Sequence, residues 1–172
     1  VEAAELIHSE NLFQDFLSIG KWELFKSLLM ATFHPQLSPI VLARSHYNLG
    51  LANLLLNRKS SALKHAQEEI ALGEKHDNKD IVGQGRILWG LLQLVKGDLS
   101  ESKKNFEFGM DYCDDPNTIA MALNSLALTS LLLGDMEGVH HTVNKSLSWE
   151  KEVEGEQFKY IISSFDNNVK GM

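Results

Sequence analysis

The chain has 172 residues, with 44% hydrophobic and 23% charged residues and a formal net charge of −7. That length suits one domain with a real core, and the balance argues against disorder. Its basic residues cluster no more densely than the pairs Arg58-Lys59 and Lys103-Lys104, where a nucleic-acid footprint wants a basic face.

Every predicted element is a helix. The first two, 4–19 and 21–33, are separated at Gly20. Helix 39–56 opens with Ser38 as N-cap and Pro39 in the first turn, carries Leu42, Leu49, Leu51, Leu54 and Leu55, and stops at Asn57. The amphipathic stretch "SSALKHAQEEIALGEKHD" predicts 59–76. Helix 79–96 ends at Gly97, and Asp98 starts 99–112. Asp115-Pro116 repeats the opening signal for 116–133, with Ile119, Leu123, Leu126 and Leu131 at helical spacing. Gly134-Asp135 then leads into 136–152. The last helix, 156–168, sets Phe158, Ile161, Ile162 and Phe165 on one face and serves either as a C-terminal cap or as the first helix of a further unit. No stretch alternates as a strand flanked by hairpin turns would.

One grammar recurs four times: an apolar helix, a break, an amphipathic helix. The breaks at Gly20, Asn57, Gly97 and Gly134 lie 37, 40 and 37 residues apart. Gly or Asn suits the left-handed conformation that closes a helix. Five residues after each break stand Phe25, Ala62, Ser102 and Val139, apolar or small, as two closely crossing helices require. Eight residues before it stand Leu12, Leu49, Trp89 and Leu126. In the last three units Gly50, Gly90 or Ala127 follows, a knob beside a close-approach site.

The stretches "YNLGLANLLLNRKSSALKHAQEEIAL", "ILWGLLQLVKGDLSESKKNF" and "NSLALTSLLLGDMEGV" resemble the tetratricopeptide repeat, with its aromatic or Leu, Leu-Gly, and small residue early in the second helix. The resemblance implies an all-α, right-handed superhelix, an α-solenoid of about four antiparallel hairpins plus a C-terminal helix. The units would be 4–36, 39–77, 79–114 and 116–153. Longer second helices are similar to the repeat regions of large signal-transduction ATPases, cyclase-linked ATPases and multidomain transcriptional regulators. Such repeats bind partners on the concave face, which here implies Arg44, Tyr47, Asn48, Leu51 and Leu54, then Gln84, Ile87, Leu91 and Leu94, then Met121, Asn124, Leu128 and Leu131. Relatives that clamp acidic chaperone tails carry Lys, Arg and Asn there, whereas Leu51, Leu91 and Leu128 hold the middle column here. Two readings stand for these leucines: they receive an amphipathic helix or another part of the polypeptide, or they pack between neighbouring helices.

Candidate chemistry is sparse. Gly97-Asp98 and Gly134-Asp135 occupy one slot in the repeat, so turn and N-cap explain them better than a catalytic acid. "KGDLS" lacks the phosphate-loop spacing. Glu5/His8 and Glu137/His140 have the Glu-x-x-His spacing of di-iron bundles, but the intervening helices carry Leu and Ala where further carboxylates would stand. His140 and His141 point about 100° apart on a helix. No nucleophile elbow occurs. Cys113, the single cysteine, cannot form an internal disulfide or a cysteine zinc cluster. Three nearby acids in "DYCDDPN" are expected to raise its pKa. Trp22, Trp89 and Trp149 read as core or seam residues, with an aromatic cage as the rival reading.

The sequence therefore predicts a non-catalytic protein- or peptide-binding scaffold without metal or cofactor. The alternative is a sensor or regulatory repeat domain of a signalling ATPase or transcriptional regulator, taking a peptide or small ligand. The expected partner is a protein, a peptide or another domain of the same polypeptide, not nucleic acid or membrane. No apolar run approaches the roughly 20 residues that span a bilayer, and no signal peptide leads the chain, so a cytoplasmic location is expected. The start at Val1 and the unfinished C-terminal pattern suggest a piece of a larger protein.

Overall fold

A computed structural model of the chain describes Phe16, residues 19–34 and residues 37–152. These contain helices and no strand. In chain order the helices are α1 (Trp22–Thr32), α2 (Pro39–Leu55), α3 (Lys59–Lys75), α4 (Lys79–Lys96), α5 (Leu99–Tyr112), α6 (Pro116–Leu132) and α7 (Met136–Glu152). Phe16 and Ile19 are also helical. The rest of the expected helix 4–19, and all of 156–168, lie outside the described residues. So do Glu5, His8 and Leu12, and the side chain of Trp149.

Local chemistry explains where each helix begins and ends. The backbone is left-handed at every expected break: Gly20 (φ 64°), Asn57 (57°), Gly97 (83°) and Gly134 (74°). At Gly97 the chain closes α4 with two bonds, Gly97 N to Leu94 O at 3.0 Å and Asp98 N to Gln93 O at 2.9 Å. The same pair of bonds recurs at Asn57 and Gly134, which satisfies carbonyls that would otherwise be orphaned at a helix end. Asp77, between α3 and α4, is a fifth left-handed residue (φ 50°) that the sequence pattern did not signal. Side-chain caps follow. Ser38, Asn78, Asp98, Asp115 and Asp135 each accept a hydrogen bond from the backbone N–H three residues on. Lys21 and Arg58 precede α1 and α3 without a side-chain cap.

Packing runs between sequence neighbours along the whole order, joined by turns of two or three residues between α2 and α7. In addition α2 touches α4, and α4 touches α6, so the first helices of successive pairs stack on one another. Three core clusters mark the seams: Phe25, Leu29 and Leu49 between α1 and α2; Leu51, Ala66, Leu88 and Leu92 across α2, α3 and α4; Ile87, Phe106, Ile119 and Leu123 across α4, α5 and α6. The residues five after each break, Phe25, Ala62, Ser102 and Val139, are all buried. At one of these crossings the Ser102 hydroxyl donates to Gly90 O at 2.9 Å. Gly50 and Gly90 are the close-approach sites expected: a Cβ would strike Leu88 at the first and Phe106, at 2.8 Å, at the second.

A candidate partner-binding face

The residues expected on a concave face divide into three groups. Ile87 is wholly buried among Phe106, Cys113 and Leu123, Leu51 packs on Leu88 and Leu92, and Asn48 is buried as well. Tyr47, Gln84, Leu91 and Asn124 are half-buried, while Arg44 and Leu128 are exposed. Burial follows from the stacking of α2, α4 and α6, whose facing sides meet before any partner could reach them.

Polar contacts fix several of these side chains. Tyr47 Oη accepts from Thr118 Oγ1 at 3.3 Å, linking α2 to α6, and burial pushes the phenol well above its ordinary pKa. Gln84 Nε2 donates to Asp80 Oδ2 at 3.1 Å, while Asp80 Oδ1 accepts from Asp114 N at 2.8 Å. Asn124 Oδ1 is buried without a hydrogen-bond partner among the described residues.

Two buried polar features escaped the sequence reading. Glu69 of α3 is completely buried, both carboxylate oxygens lack a hydrogen-bond partner among the described residues, and burial, helped by Asp80, pushes its pKa well up. Its position was legible, because Ala62, Ala66, Glu69, Ile70 and Gly73 share one helical face. The second is the contact of His46 on α2 with His65 on α3, Nδ1 to Nδ1 at 3.1 Å, with Phe33 edge-on to His46. Burial lowers both imidazoles, His65 to about 4, with the neighbouring His46 and Lys64 lowering His65 further and Glu68 partly opposing the shift at His46.

Between α5, α6 and α7 lies an open cleft of about 420 Å³. Lys103, Glu107 and Asp111 of α5 face Asp135, Glu137, His141 and Lys145, which precede or belong to α7, with Leu126 and Ser130 of α6 in the lining. Lys103 Nζ bridges it to Asp135 Oδ2 at 2.6 Å; that bond raises the amine and lowers the carboxyl. Asp135 is thus both N-cap and inter-helix tie, and Asp98 is an N-cap. Cys113 is buried, and burial, more than Asp80 and Asp115, pushes its thiol far up. Of the three acids in "DYCDDPN" only Asp115 adds its charge to that rise, while its backbone carbonyl works against it, and the other acid that contributes is Asp80 of α4. Trp22 and Trp89 pack on different core clusters rather than converging. Among the described residues no group of three or more His, Cys, Asp or Glu is placed to hold a metal ion. Nor is any described helix long and apolar enough to cross a membrane.

The outer ends of the first helices carry a column the sequence reading passed over. Leu55, Val95 and Leu132 are all exposed and each stands two residues before its turn residue. Spacing alone could have found it, because the break positions were already aligned.

No protein-family model, curated protein or solved structure matches this chain.

Proposed function

We propose that the chain is a non-catalytic protein- or peptide-binding scaffold, built as a right-handed superhelix of tetratricopeptide-like hairpins. Its contact surface is the exposed side of α2, α4 and α6. The observation that carries this reading is the recurrence of exposed apolar residues, Leu55, Val95 and Leu132, at one register position of three successive first helices. Scattered exposed leucines need no explanation, but a periodic row across stacked helices matches the way an extended or helical partner presents side chains at intervals. Arg44, Tyr47, Gln84, Leu91, Asn124 and Leu128 contribute what their exposure allows. Ile87, Leu51 and Asn48 support the surface from beneath.

Peptides selected from a display library against the purified chain test this reading. Val95→Glu and Leu132→Glu change solvent-facing side chains, so circular dichroism should be unchanged while the selected peptides lose binding by about tenfold or more. Full retention of binding by both variants would rule out this face.

A further inference from the structure

We propose that the cleft between α5, α6 and α7 is a binding site for a guanidinium group, carried by a small free ligand or by an arginine side chain of a partner. This goes beyond the partner-binding reading, whose row of Leu55, Val95 and Leu132 does not line the cleft. The inference rests on positions that repeat. In the preceding pair, α4 and α5, Arg86 supplies such a group from the chain itself. Its guanidinium carbon lies 5.8 Å from the ring centre of Trp89 and 5.2 Å from that of Phe108, and Nη1 donates to Asn105 Oδ1 at 3.5 Å. Trp89 stands eight residues before Gly97, and Asn105 and Phe108 eight and eleven after it. Leu126, Thr142 and Lys145 stand at the same distances from Gly134, and all three line the cleft. The equivalent of Arg86 is Leu123, which is buried in the core and brings no charge. The last pair thus keeps the slot without its cation. Leu in place of Trp leaves room there, about 420 Å³, a size typical of small-ligand sites.

Charge and a buried hydroxyl decide what fits. Glu107, Asp111, Asp135 and Glu137 face only the amines of Lys103 and Lys145, so the lining is net acidic in either state of His141. Lys103 is tied to Asp135 at 2.6 Å and lies at the outer limit of an ion pair, 4.0 Å, from Glu107. Glu107 and Asp111, four residues apart on α5, set two carboxylates along one wall. The same positions of α3 hold Gln67 and Ala71, so this acidic wall belongs to the last pair alone. A planar guanidinium fork matches carboxylates better than a compact ammonium does. On the floor Ser130 is wholly buried, and its Oγ has no hydrogen-bond partner among the described residues, which leaves it able to accept a further N–H.

Proton–nitrogen correlation NMR of the 172-residue chain tests the site with two probes, agmatine and the blocked peptide acetyl-Gly-Arg-Gly-amide. Each should shift the amides of Ser130, Gly138 and Thr142 saturably. Tighter binding of agmatine assigns the site to a free ligand, and tighter binding of the peptide to a partner's arginine. Glu107→Gln with Asp111→Asn should weaken binding about fivefold. Lys145→Phe restores the aromatic partner that Phe108 gives Arg86 and removes a like charge, so it should tighten binding about fivefold. No saturable shift with either probe, or shifts scattered over the surface away from the cleft, would overturn the proposal. So would a double variant of unchanged helical content that binds as tightly as the original chain. If the double variant loses helical content, Lys145→Phe decides, because misfolding cannot tighten binding; unchanged or weaker binding there overturns the proposal.

Discussion

Glu69 and the His46–His65 pair are where single side chains oppose the fold that contains them. Glu69 is fully buried and neither oxygen has a partner among the described residues, so the folded protein holds its proton more tightly than the unfolded chain, whose carboxyl titrates near 4.5. A raised folded pKa means that stability is complete below about pH 4.5 and is lost as pH rises above it. Glu69→Gln should therefore raise the Tm at neutral pH, by about 1–3 kcal/mol of unfolding free energy, and the gain should vanish near pH 4. Thermal melts across that range check it; a Tm difference independent of pH would contradict it. The histidines act with the opposite sign. Burial lowers both, His65 to about 4, so the unfolded chain binds protons that the folded chain refuses. Stability should fall as pH drops from 6.5 toward 4, and His65→Gln should flatten that slope. Denaturant unfolding at several pH values measures it. The chain pattern marks both as helical residues, but which residue opposes which depends on how α2 and α3 cross.

Helix ends and close approaches obey chemistry of two kinds. Gly97 and Gly134 have left-handed backbones with open space around them, so an added Cβ meets conformational strain alone. Gly83 is the reverse case. A Cβ there would lie 2.7 Å from Cys113 N, 2.8 Å from Gly109 O and 2.9 Å from Tyr112 C, all backbone atoms that cannot swing aside. Gly97→Ala should cost about 1 kcal/mol and Gly83→Ala about 2–3 kcal/mol, with the larger loss from separation of α4 and α5. Urea unfolding of the two variants gives the comparison, and an equal loss would mean that α4 can yield. The turn glycines were readable because a helix stop is local. Gly83 and Gly109 were not, since both sit inside helices and become necessary only when those helices touch.

Stacking gives α4 a position no other described helix shares, in contact with α2, α3, α5 and α6. Stability in such arrays spreads through neighbours, so α4 should hold the slowest-exchanging amides, with α1 and α7 among the fastest of the described helices. Hydrogen exchange read by mass spectrometry would show that gradient, and uniform protection would mean a single cooperative unit. The sequence by itself determined that the described residues are helical, that the chain breaks at Gly20, Asn57, Gly97 and Gly134, and that Ser38, Asp98, Asp115 and Asp135 open helices, while Asp77 and Asn78 gave no such signal. Those features depend on left-handed glycines, side-chain caps and apolar spacing, all set within a few residues. Only the tertiary structure decided which expected face residues meet solvent. Leu51 and Leu91 share the spacing of Leu128 from their turn residues, yet the first is buried, the second half-buried and the third exposed. The difference lies in whether another first helix lies against them, and that is a property of the stacked array rather than of any single helix.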